Sequence, residues 1–260
     1  MFQSAVLRSE AALIAALGDV ADHGRYVRFR TPGMPGNNST NALIFRGAPG
    51  PEAALEWPTL LAREFADEPP GSRQRLSWDP CGEASPEVVS AFEAAGFEAF
   101  TVCVLATDRP LPGDAGAVAV RKLVTDADWA DACYVSALIA PAPPGPRVFA
   151  YHRSALATYR AACEAGHGAF FGAWLAGVCV GLLGIFVDGD GLARYQWIIV
   201  APHHRRLGVC RTLMHTAAAW ADARQYVVLG LGHNEAGLGA YRRAGFQEIE
   251  RQTWFWERRA

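Results

Sequence analysis

The feature that most restricts the fold is an order of elements that occurs twice. Near the end of the chain, the apolar run "LARYQWIIV" leads through a Pro-containing turn into "RLGVCRTLMHTAAAWADA". The apolar positions of that second stretch are spaced by three and four, which predicts a helix starting near Arg206 or Leu207. A strand "YVVLGLG", a helix "NEAGLGAYRRAG" and a strand "FQEIERQTWFW" follow. The first half runs in the same sequence: strand "NALIF", helix "PEAALEWPTLLAREFAD", strand "RQRLSWD", helix "SPEVVSAFEAAG" and strand "FEAFTVCVLAT". Both last helices end in Ala-Gly-Phe, with Gly96 and Gly245 as stops. Aligning these ends puts Phe92 opposite Tyr241, so a hydroxyl stands in only one copy. We read the order as a duplication, with "TDRPLPGDAGA" (107–117) as the boundary.

Between the copies, "AVAVRKLV" reads as a strand, and Thr125 with Asp128 forms a capping box for a helix over "DADWADACYVSALIA". The Pro-rich "PAPPGPR" reads either as a connector or as a mobile lid. The helix "RSALATYRAACEAG" and the strands "GAFFGAWLAG" and "VCVGLLGIFV" complete this region. The chain is thus α/β, a mixed twisted sheet flanked by helices in two halves.

Bulk properties remove several function classes. With 51% hydrophobic and 19% charged residues, the 260-residue chain has the makings of a substantial core. A formal net charge of -2 argues against nucleic-acid binding. The longest apolar run, "GVCVGLLGIFV", is too short to span a bilayer, and the N-terminus has no signal-peptide pattern, so no membrane partner is expected. Six cysteines without metal or disulfide spacing read as reduced thiols of a cytoplasmic protein. His203 and His204 stand adjacent on a turn without a ligand partner at useful spacing, so no metal is expected. Trp174, Trp197, Trp254 and Trp256 fall on strands and read as core.

The segment "WIIVAPHHRRLGVCRTLM" (197–214) carries the chemistry. A helix N-terminus presents unpaired amides and the positive end of the helix dipole, which suits phosphate. Gly208 permits close approach of a ligand to the backbone, and Arg205 and Arg211 offer charged contacts. A surface helix with solvated arginines is the plainer alternative. In the first copy, the corresponding loop "RGAPGPEA" (46–53) contains Pro49 and Pro51, which lack amide donors.

The motif Arg205, Gly208, Cys210 after Val200 and Pro202, followed by Asn234, Tyr241, Gly245 and Phe246, resembles the acetyl-CoA-binding core of the GNAT (Gcn5-related) N-acetyltransferases over about residues 117–256. Cys210 replaces the small Gly or Ala usual in that motif, and Arg206 stands where many members carry another Gly. The resemblance implies that the backbone of Ile198, Ile199 and Val200 pairs with the pantetheine arm. It implies that Arg205, Arg206, Leu207, Gly208, Val209, Cys210 and Arg211 hold the pyrophosphate, and that Asn234 contacts the cofactor, although Asn234 equally suits a helix N-cap. Tyr241 then protonates the departing thiolate.

On this resemblance, residues 1–110 form a degenerate, partial GNAT-like domain and residues 117–260 the catalytic one. The expected reaction is acetyl transfer from acetyl-CoA to a primary amine by direct attack in a ternary complex, by a monomer or homodimer. A non-catalytic acyl-CoA sensor and an aminoacyl-tRNA-dependent ligase are the alternatives. The predicted fourth strand contains no carboxylate base, leaving Asp188, Asp190, Glu164, His152 and His167 as candidates; a water relay, or an amine already neutral at working pH, is equally compatible. Cys210, at a helix start, is the one candidate for a covalent relay.

Overall fold

The computed structural model describes residues 2–70, 72–114, 116–140 and 143–258. In chain order the elements are α1 (Ala5–Leu17), β1 (Asp19–Asp22), β2 (Tyr26–Arg30), β3 (Ala42–Phe45), α2 (Ala53–Glu64), β4 (Arg75–Trp78), α3 (Pro86–Ala94) and β5 (Phe97–Thr107). They continue as β6 (Ala119–Lys122), α4 (Asp126–Ala137), α5 (Pro146–Glu164), β7 (Gly168–Leu175), β8 (Val178–Val187) and β9 (Leu192–Val200). A single 3-10 turn, Pro202–His204, precedes α6 (Val209–Ala221), β10 (Gln225–Leu231), α7 (Glu235–Arg243) and β11 (Gln247–Glu257). Two compact units result: Met1–Val104 with Leu229–Asn234 and Glu248–Ala260, and Leu105–Val228 with Glu235–Gln247. After Val228 the chain therefore enters the first unit twice.

The first unit has strand order β1-β2-β3-β4-β11-β5. Strand β3 runs parallel to β4 over its whole length, from Ala42 opposite Arg75 to Phe45 opposite Trp78, with α2 as the crossover. The alternation of β3 decides its two cores. Leu43 and Phe45 pack with Trp57, Leu61, Phe92 and Phe255, whereas Ala42 and Ile44 pack with Leu7 and Ile14 of α1. No local pattern in residues 1–40 predicts an element. These residues supply α1, capped by the Ser4 hydroxyl on the Leu7 amide, and the antiparallel pairs β1–β2 and β2–β3. A buried Arg75–Glu10 ion pair ties α1 to β4, and the Arg75 guanidinium lies 3.7 Å over the Trp254 ring.

In the second unit the order is β10-β9-β8-β7-β6. Strands β6 to β9 are antiparallel neighbours, and β9 runs parallel to β10 with α6 as its crossover. The capping box is present: Thr125 Oγ1 accepts the Asp128 amide at 3.2 Å and Asp128 Oδ2 accepts the Thr125 amide at 2.9 Å. Arg121 binds Asp128 Oδ1 at 2.6 Å and, with these amides, holds the carboxyl below its usual range. Helix α5 starts earlier than its periodicity predicts, because Pro146 suits the first helical position. Pro141 and Ala142 of the Pro-rich stretch lie outside the described residues. The Pro- and Gly-rich stretch after β5 lies along α6 and the end of α7. Leu111 donates to the Ala244 carbonyl at 2.9 Å, and Pro110 offers its carbonyl to His215 Nδ1 at 3.1 Å. A Cβ on Gly113 would stand 2.3 Å from the Thr212 amide nitrogen, so only glycine fits there.

The recurring Ala-Gly-Phe has a physical cause at each of its two positions. Gly96 and Gly245 adopt φ of 90° and 92°, the left-handed conformation that ends a helix, and Phe97 and Phe246 are both buried beyond it. Phe92 is fully buried, stacked on Phe255 at 4.0 Å and edge-on to Trp57 at 5.8 Å. A hydroxyl here would have no room to meet water. Phe92→Tyr is therefore expected to lose about 1–3 kcal/mol and Phe92→Ala about 3–5 kcal/mol in urea unfolding. Wild-type stability of Phe92→Tyr would show that the hydroxyl finds a partner and that this account is wrong.

Candidate functional site

Strand β9 does not finish as a regular strand. Gly184 of β8 faces Gln196 and Leu182 faces Ile199, so Trp197 and Ile198 together stand opposite one residue. This is a β-bulge, and Trp197 takes φ of 54° to make it. A left-handed backbone costs a bulky residue about 1–2 kcal/mol. The Trp197 indole offsets it by donating to Ser136 Oγ at 3.1 Å and packing edge-on to Tyr159 and His152.

Pairing with β10 stops short of the bulge. The last matched residues are Arg194 and Val227, so Tyr195 to Val200 have no strand partner on that side among the described residues. Ile198, Ile199 and Val200 thus lie on a free edge whose backbone amides and carbonyls can pair with an extended amide-bearing molecule. In the first unit β3 stays paired with β4 to its last residue, and no such edge opens.

Helix α6 is set against this strand by two tyrosines. Tyr195 Oη donates to the Met214 carbonyl at 2.6 Å, and Tyr226 Oη to the Ala218 carbonyl at 3.0 Å. Gly181 of β8 lets the first turn approach, since a Cβ there would meet the Ile199 carbonyl at 3.0 Å and Val209 at 3.2 Å. The helix begins at Val209, two or three residues later than predicted. Arg206 and Gly208 both have positive φ, 66° and 79°, and cannot be helical. The first intrahelical bond runs from the Thr212 amide to the Gly208 carbonyl, leaving the amides from Gly208 to Arg211 without intrahelical acceptors.

Positive side chains surround these amides. Arg205 and Arg206 are exposed, Arg211 is half-buried, and none forms an ion pair among the described residues. Two buried nitrogens, Arg211 Nε and His204 Nδ1, have no hydrogen-bond partner. Arg205 differs from expectation: its Nε donates to the Val200 carbonyl at 3.2 Å, so it also closes the end of β9. Leu207 is exposed, while Val209 is buried in the core. Free amides at a helix start, with arginines in the same segment, are groups suited to a phosphate.

Tyr241 on α7 and Cys210 on α6 are electrostatic neighbours. Burial pushes the Tyr241 phenol above its ordinary range, and Cys210 adds to this. Tyr241 is half-buried, and its hydroxyl has no partner among the described residues. Burial pushes the Cys210 thiol up to about 11, opposed by Arg243, and its sulfur lies 3.9 Å from Met214 Sδ. Burial thus disfavours the thiolate that a covalent relay would need. Asn234 is exposed on the turn directly before α7, its amide donating to the Leu231 carbonyl at 2.9 Å, and it belongs to the first unit.

The base candidates separate clearly. Asp188 Oδ1 accepts the amides of Asp190 and Leu192, both at 2.9 Å, and so shapes the β8–β9 turn. Glu164 is exposed and paired with Arg160 at 2.7 Å, and Asp190 and His167 are exposed. His152 alone is buried, with Nδ1 unpartnered, at the bulge. Sequence reasoning missed the bulge itself, since nothing in "YQWIIV" marks Trp197 as left-handed.

The comparisons agree with this architecture. Residues 131–246 match the family model described as Acetyltransferase (GNAT) family. No curated protein matches the chain. A functionally unknown conserved protein from Staphylococcus epidermidis is similar at TM-score 0.71 and 12% identity, covering 94% of each chain. A GCN5-related N-acetyltransferase from Kribbella flavida is similar at TM-score 0.63 and 16% identity, covering 100% of this chain and 97% of its own. A tandem GNAT protein from the clavulanic acid biosynthesis pathway is similar at TM-score 0.52 and 15% identity, covering 91% and 80%. The chain carries the fold of the GNAT acetyltransferase superfamily. Among the described residues no helix is long and apolar enough to cross a membrane.

The left-handed Arg206 gives a direct test of the loop. Arg206→Gly relieves backbone strain and is expected to keep or raise the melting temperature, whereas Arg206→Val should cost about 1–2 kcal/mol. Equal melting temperatures for the two variants would mean that the loop does not hold this conformation in solution.

Proposed function

We propose that the second unit transfers an acetyl group from acetyl-CoA to a primary amine by direct attack in a ternary complex. The observation that carries this is the parting of β9 from β10 after Arg194, with the free amides of α6 directly downstream. The backbone of Ile198, Ile199 and Val200 is the binding edge for the pantetheine amides. The amides from Arg206 to Arg211, with the Arg205, Arg206 and Arg211 side chains, hold the pyrophosphate. Asn234, at the start of α7, is assigned a contact to the same donor by the family motif. Cys210 directs its sulfur toward Met214, which is compatible with an open amide pocket. The amine lone pair attacks the thioester carbonyl, the C–N bond forms, and the C–S bond breaks. Tyr241, protonated through the whole neutral range, supplies the proton to the leaving thiolate.

The first copy is a degenerate GNAT-like half in this reading. Three features support it: the repeated element order, the fully paired β3–β4, and Phe92 where the second copy has Tyr241. The likeness to a tandem GNAT protein over 91% of the chain is consistent with two copies.

Calorimetric titration with acetyl-CoA should give saturable binding near one site per chain, lost in Gly208→Asp, where a side chain and a charge enter the amide pocket at a left-handed position. Absence of binding by the wild-type protein would remove the proposal. Tyr241→Phe is expected to lower kcat about 10²-fold with acetyl-CoA affinity unchanged. Equal loss of both would assign Tyr241 to binding.

A further inference from the structure

Formation of the C–N bond leaves the former amine nitrogen with one proton too many, and a group near the attacked carbonyl must remove it. Strand β9 offers no carboxylate, and the other acidic candidates are held in a turn, exposed or paired. Resting on the acetyl-transfer reading above, we propose that His152 is the proton acceptor for the amine.

Three observations converge on this residue. His152 lies in the second turn of α5 and is 7% exposed. Its ring is edge-on to Trp197, the left-handed residue of the β9 bulge, at 5.8 Å and 82°, and to Tyr151 at 5.2 Å and 73°. Its Nδ1 is buried without a hydrogen-bond partner, an uncommon state for a polar atom and one that leaves a lone pair unused. The ring neighbours bear no charge at neutral pH: burial raises the Tyr151 phenol, and Trp197 does not titrate. Burial alone lowers the His152 value, with no charged side chain contributing, so the imidazole is neutral where it must accept a proton.

The proton balance closes. The neutral amine attacks and the nitrogen passes one proton to the neutral His152 ring, directly or through a water, and the ring becomes imidazolium. Tyr241 gives one proton to the thiolate, and the tyrosinate and imidazolium return to their starting forms by exchange with water. The net products are amide and free CoA thiol.

The test is thiol release from acetyl-CoA with a panel of primary amines: an arylalkylamine, a polyamine, an aminoglycoside and a lysyl peptide. For the best acceptor, His152→Gln is expected to lower kcat about 10²-fold, with the acetyl-CoA dissociation constant unchanged. The wild-type kcat/KM should fall as pH drops through the lowered imidazole value, and this acid limb should be missing in His152→Gln. Added imidazole should partly restore His152→Ala, a readout that a packing role would not move. A His152→Gln enzyme with wild-type kcat and an intact acid limb overturns the proposal, as does loss of acetyl-CoA binding in step with kcat. A wild-type protein that binds acetyl-CoA yet acetylates no amine overturns the transfer reading itself, and this proposal with it.

Discussion

Two residues of β9, Trp197 and Ile198, stand opposite a single residue of β8, and the candidate site depends on that mismatch. A bulge bends its strand, and β9 keeps its β10 partner only up to Arg194. The strain at Trp197 is held by packing: the indole is hydrogen-bonded to Ser136 and enclosed by rings from α5. The same rings bring His152 to the bulge. Cleft, amide edge and buried imidazole thus share one local cause.

The two parallel strand pairs, β3–β4 and β9–β10, differ in this respect. In the first, β3 and β4 remain paired to their ends, and the space beside them fills with Phe45, Trp57, Phe92 and Phe255. Phe45 and Trp57 stack at 3.7 Å, Phe92 meets Trp57 edge-on, and Phe92 stacks on Phe255. A phenol would lose its hydrogen bonds there, so Phe is the residue that fits. Tyr241 on α7 is half-buried beside Cys210 and keeps a free hydroxyl.

Much of the fold was legible from local signals. Ser85, Pro86 and Gly96 bounded α3, and Thr125 with Asp128 started α4, because capping chemistry acts within a few residues. The segment before α6 could also be named as a candidate phosphate loop, since glycine and arginine before an amphipathic helix form a short-range pattern. The start of α6 was placed too early, because Arg206 is a good helix former and only the packed loop forces its left-handed backbone. The N-terminal 40 residues were not read, as β1 and β2 are short and take their burial from α1 and β3. Among five base candidates, sequence offered no way to choose.

By itself the sequence determined the element order from β3 onward, the caps and the chemical groups available at the start of α6. These depend on contacts between residues close in the chain. Only the tertiary structure decided where β9 leaves β10, which histidine is buried at the bulge, and that the last strand pairs with β4, Phe255 opposite Leu76. Strand pairing, burial and a bulge set by its surroundings depend on residues far apart in sequence, and no local pattern encodes them.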